Sequence, residues 1–189
     1  MKIDSNDLIE KVLIDEESLN KKIRKLANTL NEHYADKDEL ILVCILKGSV
    51  MFVSELAKYL NVECKMEFMS VSSYADNTYS SGNVKILMDL DMDIKDKEVL
   101  IVEDIIDTGY TLKKVKENLL QREPKDLKII TLLDKPERRE VELKPDWLGF
   151  KIPNEFVVGF GLDYNQLYRN LPYIGIVKRS VYEDIEEMK

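Results

Sequence analysis

Two patterns of apolar residues alternate along the first half of the chain, one with helical spacing and one that is continuously apolar. Apolar residues recur at three- and four-residue spacing over residues 15–34, which predicts an amphipathic surface helix. Residues 40–46, LILVCIL, are continuously apolar, as expected for a strand that is covered on both faces of a sheet. Helical spacing returns over residues 49–60, and further strands are predicted at residues 62–70 and 84–88.

The second half begins with the same alternation. Residues 99–102 are all apolar and predict a short buried strand, after which an amphipathic helix opens at Thr111. Another strand is predicted at residues 127–133, and Lys135-Pro136 ends it. Repeated strand–helix–strand units of this length predict an α/β fold, in which a mostly parallel, twisted sheet is flanked by helices.

Beyond Pro145 the pattern changes. Short apolar stretches at residues 147–150, 156–162 and 173–177 alternate with turn residues, and they predict a small lobe of short strands, here called the hood. We expect one domain over residues 1–189, with a core at about 10–140 and a hood built from about 145–189.

Composition narrows the class of protein. The chain is 44% hydrophobic, and its 28 basic and 36 acidic residues give a net charge of −8, which leaves no broad basic field for duplex nucleic acid. No apolar run approaches the ~20 residues that span a bilayer, and residues 1–17 carry acids where a signal peptide would be apolar. Cys44 and Cys64 lack CxxC spacing, which favours reduced thiols. We therefore expect a cytosolic protein that binds neither nucleic acid nor membranes.

The segment richest in chemistry is VLIVEDIIDTGYTL, residues 99–112. Glu103 and Asp104 stand at the end of the buried strand, and Asp107 precedes a Thr-Gly turn into the next helix. Unpaired N–H groups at a helix start can hold a phosphate, which the neighbouring carboxylates would repel unless a cation or sugar hydroxyls lay between them. A phosphorylated sugar with a divalent metal satisfies both features, although an ordinary strand–turn–helix with solvated acids would share the pattern.

The same segment resembles the 5-phosphoribosyl-1-pyrophosphate (PRPP) signature of the type I phosphoribosyltransferases. The resemblance implies that the two adjacent acids face the ribose hydroxyls and Mg²⁺, and that the turn wraps the 5′-phosphate. Because relatives vary at Tyr110, the phosphate is expected to rely on backbone amides together with Thr108 and Thr111. The substrate-binding residues implied here are Glu103, Asp104, Ile105, Ile106, Asp107, Thr108, Gly109, Tyr110 and Thr111.

Two earlier segments fit the same family. Lys47-Gly48 follows a buried strand and resembles the pyrophosphate loop, which implies a cis peptide bond between Leu46 and Lys47. The polar stretch at residues 72–83 resembles a lid that closes over PRPP, with Ser73 and Tyr74 as the matching dipeptide. Taken alone, the first is a common strand ending and the second a common surface loop.

Five later residues narrow the substrate. Lys135 can only donate hydrogen bonds, which suits a purine 6-oxo group, and Phe156 offers a ring for stacking beside the backbone of Val157. Asp163 is expected at the metal or the base, and Arg169 at the pyrophosphate. Each has an ordinary alternative, such as a solvated lysine, a core phenylalanine or a surface ion pair.

The order of these motifs is similar to that in the hypoxanthine-guanine branch of the family. This resemblance implies transfer of the phosphoribosyl group to N9 of a 6-oxopurine, giving IMP or GMP and pyrophosphate. It implies Asp107 as the general base for the N7 proton, and Mg²⁺ held by Glu103, Asp104 and Asp163. It also implies a homo-oligomer, either a dimer or a tetramer.

Three alternatives have different chemistry. A PRPP-binding regulator of RNA or DNA would need a basic face, against which the net charge of −8 argues. A generic Mg-nucleotide binding protein would carry a GxxxxGK[ST] loop, which is absent from the sequence. An orotate or uracil enzyme fits the PRPP motif, but Lys135 and Phe156 favour a 6-oxopurine. The choice among hypoxanthine, guanine and xanthine stays open.

Overall fold

Strands and helices alternate through residues 8–73 and 84–182, which are the residues described by a computed structural model. The helices are α1 (Glu16–His33), α2 (Val50–Ala57) and α3 (Tyr110–Leu120). The strands are β1 (Ile9–Ile14), β2 (Glu39–Leu46), β3 (Glu63–Ser73), β4 (Val84–Met88), β5 (Glu98–Ile106), β6 (Asp126–Asp134), β7 (Trp147–Lys151), β8 (Val157–Val158) and β9 (Ile174–Val177). Short 3₁₀ turns cover Pro136–Arg138 and Arg179–Val181.

The main sheet has six strands in the order β4-β3-β2-β5-β6-β7. Neighbours from β3 to β7 run parallel, and only β4, at one edge, is antiparallel to its partner β3. The predicted α/β fold with a mostly parallel sheet is therefore confirmed.

The hood is a three-stranded antiparallel sheet in the order β1-β9-β8. Its C-terminal strands were predicted, but β1 was not, because IEKVLI mixes charged and apolar residues without a clear period. The assignment of residues 147–150 to the hood was wrong, since Trp147 pairs with Ile130 and β7 forms the edge of the main sheet. A short strand at an edge is partly exposed, so its sequence resembles that of a hood strand. That residues 1–189 form a single domain stays a prediction.

The core lies on both faces of the main sheet. α1 begins where the Asp15 side chain accepts a hydrogen bond from the N–H of Ser18, and its apolar face packs with α2 on one side of the sheet. α3 packs on the other side. The predicted apolar face of α1 is buried, comprising Leu19, Ile23, Leu26, Ala27 and Leu30. Residues of β2 enter the two clusters alternately, with Leu40, Leu42 and Cys44 on the α1 side and Ile41, Val43 and Ile45 on the α3 side.

The cysteines and the helices of the described residues bear on two expectations from composition. Cys44 and Cys64 are free thiols, as predicted. Burial, together with the nearby Glu103 and Asp104 carboxylates, raises the pKa of the Cys44 thiol to about 12. Within the described residues, no helix is both long and apolar enough to cross a membrane.

The sheet topology brings the predicted motifs to one edge. β2, β5 and β6 are parallel neighbours, so the loops after Leu46, Ile106 and Asp134 leave the sheet on the same side. Ligands of open α/β sheets bind outside the carboxyl ends of such strands. This edge is therefore where the candidate site has to be sought.

Candidate active site

A cleft of about 290 Å³ opens at this edge, between the loop after β2, the end of β5 and the hood. Eight of its lining residues were predicted as site residues, namely Lys47, Gly48, Glu103, Asp104, Thr111, Val157, Asp163 and Arg169. The sequence analysis did not anticipate four apolar ones, namely Ile45, Leu46, Val71 and Leu162. The cleft thus has an acidic floor formed by Glu103 and Asp104, two cations, Lys47 and Arg169, and an apolar wall.

Ser49, a residue that the sequence did not single out, connects Glu103 and Asp104 by two hydrogen bonds, here called the Ser49 bridge. The fully buried Ser49 Oγ donates to Glu103 Oε2 at 3.1 Å and accepts from the backbone N–H of Asp104 at 3.1 Å. The N–H of Ile105 donates to Asp104 Oδ1 at 2.8 Å. Ser49 carries no distinguishing sequence signal beyond its place between a glycine and a helix.

The two acids interact through charge as well. Burial raises the pKa of Glu103 well above its usual value, and the adjacent Asp104 carboxylate raises it further. Burial also raises the pKa of Asp104, opposed by the hydrogen bond from Ile105 and by the positive charge of Arg169. The open cleft leaves both side chains partly accessible, so a cation or hydroxyl group entering it can reach these carboxylates.

Gly48 permits the close approach of the β2 loop to this pair. A Cβ atom built on Gly48 would overlap the Asp104 carboxylate, so any larger residue would displace that side chain. The peptide bond between Leu46 and Lys47 is cis, as the family resemblance implied.

The two cations of the cleft meet at Gln166, a second residue that the sequence analysis missed. Gln166 Oε1 accepts from Lys47 Nζ at 3.1 Å and from an Arg169 Nη atom at 3.2 Å. Arg169 also donates to the Gly161 carbonyl at 2.7 Å and forms an ion pair with Asp163 at 2.8 Å. Gln166 is neutral and holds the two cations close together, and Asp163 offsets only the charge of Arg169, so this side of the cleft suits an anionic ligand.

The acidic groups around the cleft form only part of a metal site. Within residues 8–73 and 84–182, no three acidic, histidine or cysteine side chains converge to hold an ion, so Glu103, Asp104 and Asp163 do not form a complete protein cage. Mg²⁺ is usually bound by one or two carboxylates, with substrate phosphates and water completing the octahedron. The acidic floor of the cleft fits an ion that arrives with an anionic substrate.

Asp107 lies beyond the acidic pair, in the turn between β5 and α3. Its Oδ1 is 2.8 Å from Arg138 Nε, in an ion pair without the alignment of a hydrogen bond, and its Oδ2 is 3.9 Å from Lys135 Nζ. Lys135 is only 6% exposed, and this burial lowers the pKa of its ammonium group, partly opposed by the Asp107 charge. Lys135 is therefore a buried donor beside a carboxylate rather than a solvated loop residue.

Phe156 is partly exposed, at 36%, and belongs to an aromatic group at the hood. Its ring stacks on Tyr182 with centroids 5.3 Å apart, and Tyr164 meets it edge-on at 5.8 Å. Val157, the next residue, is buried and lines the cleft. Tyr182 therefore covers one side of the predicted stacking ring, a contact that no sequence pattern indicated.

The predicted lid lies mainly outside the described residues. Ser73 is the last residue of β3, where it pairs with Val84 of β4. Tyr74, its partner in the predicted dipeptide, falls in the part of the chain that the structure does not describe.

Comparison with known proteins places this geometry in a family. A family model for the phosphoribosyl transferase domain matches residues 13–165. The chain therefore belongs to the phosphoribosyltransferase family.

Its relatives specify the branch. The chain is 55% identical to the hypoxanthine-guanine phosphoribosyltransferase of Lactococcus lactis subsp. lactis (strain IL1403), over 92% of this chain and 94% of that protein. The solved hypoxanthine phosphoribosyltransferase of Staphylococcus aureus is 46% identical and superposes with a TM-score of 0.91, covering 96% of this chain and 98% of that one. A hypoxanthine phosphoribosyl transferase of Trypanosoma cruzi is 39% identical with a TM-score of 0.90, covering 96% and 97%. Within the family, the chain is an enzyme of the hypoxanthine-guanine group, and phosphoribosyl transfer in purine salvage is its activity.

The Ser49 bridge gives a stability prediction. Replacing Ser49→Ala leaves the backbone N–H of Asp104 without its acceptor, so the free energy of unfolding is expected to fall by about 1–3 kcal/mol in urea denaturation. The matched control is Ser54→Ala on α2, whose Oγ donates to the Val50 carbonyl at an exposed position and whose loss should cost less than about 0.5 kcal/mol. Equal denaturation midpoints for the two variants would contradict the bridge.

Proposed function

We propose that the cleft and the β5–α3 turn together transfer a 5-phosphoribosyl group from PRPP to N9 of hypoxanthine or guanine. The C1′–O bond breaks with its electron pair leaving on pyrophosphate, and the N9 lone pair forms the new bond. The products are IMP or GMP and pyrophosphate. The observation that carries the proposal is the grouping at one sheet edge of an acidic pair, two cations and a carboxylate beside a buried lysine.

The PRPP end of the reaction is assigned to the cleft. Glu103 and Asp104 line the cleft and would accept hydrogen bonds from the ribose hydroxyls, while their negative charge would favour the cationic ribosyl centre. Lys47 and Arg169, already side by side on Gln166, would bind the pyrophosphate. Mg²⁺ bound with the substrate at Glu103, Asp104 and Asp163 would supply positive charge that stabilises the leaving group.

The purine end is assigned to the turn and the hood. Lys135 Nζ would donate to the 6-oxo group, while the Phe156 ring would stack on the base and the backbone near Val157 would read its edge. Asp107, held beside Lys135, would accept the N7 proton as the N9 bond forms. The proton thus ends on the Asp107 carboxylate. A cytosolic location is part of the same proposal, and cell fractionation tests it.

The role of Asp107 gives a kinetic prediction. Asp107→Asn keeps the shape of the side chain but cannot accept the proton, so kcat should fall by about 10²–10⁴-fold while the KM for PRPP changes little. A spectrophotometric assay with PRPP, Mg²⁺ and hypoxanthine measures both. The control is Glu117→Gln, which removes an exposed acid paired with Lys114 on α3. An unchanged kcat in Asp107→Asn would overturn the assignment.

The role of Lys135 gives a prediction about the base. Lys135→Ala removes a charged donor worth about 1.5–3 kcal/mol, so the KM for hypoxanthine and guanine should rise roughly 10- to 100-fold and discrimination against adenine should weaken. Lys128→Ala is the matched control on β6, the strand that Lys135 directly follows, because Lys128 pairs with Asp126 and Asp146. Wild-type discrimination in Lys135→Ala would remove this residue from the base site.

We also propose that the chain forms a homo-oligomer. Three large apolar side chains on the neighbouring strands β3 and β4 are exposed, Met66 at 42%, Phe68 at 37% and Met88 at 41%. The first two stand on the same face of β3 as Cys64, which packs towards α1, so they continue the apolar face beyond the helices. The Trypanosoma cruzi relative was examined for the effect of its C-terminal region on its oligomeric state. A second copy of the chain is the occupant that we assign to this face.

The mass in solution tests this assignment. Light scattering coupled to size exclusion should give two or four times the chain mass of 22.0 kDa, and Phe68→Glu should reduce that mass. Leu120→Glu, at an apolar residue that is 50% exposed on α3, is the control and should leave the mass unchanged. A wild-type mass of one chain would contradict the proposal.

A further inference from the structure

Arg139, in the segment after β6, holds the backbone of the β5–α3 turn. Its Nε donates to the Asp107 carbonyl at 3.0 Å, and one Nη reaches the Ile106 carbonyl at 3.4 Å and forms an ion pair with Asp134. The other Nη donates to the Leu143 carbonyl at 2.8 Å. One guanidinium group therefore joins the turn to β6 and to the loop that follows it.

The same segment binds the neighbouring carbonyls of the turn. The backbone N–H of Lys135 donates to the Ile106 carbonyl at 2.9 Å, and the N–H of Glu140 donates to the Thr108 carbonyl at 3.0 Å. With the Arg139 bond to Asp107, three successive carbonyls, those of residues 106, 107 and 108, all point towards residues 135–140.

The direction of these carbonyls fixes the direction of the next amides. In a trans peptide unit the C=O and the following N–H point to opposite sides. The N–H groups of Asp107, Thr108 and Gly109 therefore face away from residues 135–140, and the unpaired amides at the start of α3 follow them in the chain. Successive N–H groups that point the same way form an anion-binding concavity.

Gly109 shows how closely the arginine packs beneath the turn. Its φ of +89° is in the left-handed region, and a Cβ built there would lie 3.0 Å from Arg139 Cδ and 2.9 Å from a Val141 methyl. The Arg139 side chain is 15% exposed and its partner Asp134 is 10% exposed, so the ion pair is shielded from water. The arginine thus supports the turn from a partly buried position.

We propose that Arg139 is a positioning residue for the reaction, which sets the phosphate-binding amides and the Asp107 backbone without contacting substrate. The inference rests on the proposed function, since it assigns the 5′-phosphate to this turn. An arginine suits the task because its planar guanidinium carries donors on three separate nitrogens, whereas the three donors of a lysine ammonium all leave one nitrogen. A lysine at position 139 would keep the positive charge but is not expected to position the turn as the arginine does.

The test measures phosphate recognition separately from folding. IMP and inosine differ only in the 5′-phosphate. The dissociation constant of inosine divided by that of IMP, both measured by calorimetry, therefore reports how well the turn binds phosphate. We expect Arg139→Lys and Arg139→Gln to reduce the wild-type ratio on the order of 10- to 100-fold, because small displacements of a positioned group have effects of this size. Arg139→Lys keeps a positive charge opposite Asp134, which preserves the buried ion pair and favours folding.

The control is Arg122→Lys, at another partly buried arginine just beyond the C-terminal end of α3, where it forms an ion pair with Asp89 and donates to Asn118 on the helix. It should leave the ratio unchanged. If both Arg139 variants fold and keep the wild-type ratio, or lose affinity for IMP and inosine equally, the positioning role is overturned. If the wild-type protein itself binds IMP no more tightly than inosine, the proposed function fails instead.

Discussion

The parallel register of β2, β5 and β6 is the constraint on which the rest of the structure depends. Cys44 lies opposite Val102 and Glu103 lies opposite Thr131, so the three strands end together at one edge. Because β2 and β5 are buried on both faces, a slip of one residue would exchange their two apolar faces and move every loop of the site. Hydrophobic packing in the sheet thus sets the positions of the polar groups at its edge.

The site places unlike charges close together while leaving each group incompletely satisfied. At the floor of the cleft, burial raises the pKa of both Glu103 and Asp104, and the Asp104 carboxylate raises that of Glu103 further. Across the cleft, Lys47 and Arg169 share a single neutral acceptor, Gln166. An anionic sugar phosphate with a divalent cation would satisfy both sides, which is the physical reason that the family activity suits this cleft.

The sequence predicts the residues of the candidate site that lie next to apolar strands. It does not indicate the residues whose roles depend on contacts with distant loops and turns. Glu103 and Asp104 follow an apolar run, so their place at the sheet edge follows from the strand itself. Gln166 and Arg139 give no such signal, because their roles depend on long-range contacts with Lys47 and with the turn after β5. The edge strand β7 was misassigned for a related reason, since partial exposure weakens the period of its apolar residues.

The central claim is that the turn after β5 binds the 5′-phosphate and presents Asp107 to the base. A crystal structure of the protein with IMP tests it most directly. The account predicts phosphate oxygens within ~3.2 Å of backbone N–H groups in residues 108–111, with the Asp107 carboxylate facing N7 of the purine. A phosphate bound instead by Lys47 and Arg169, with the purine remote from Asp107, would contradict it.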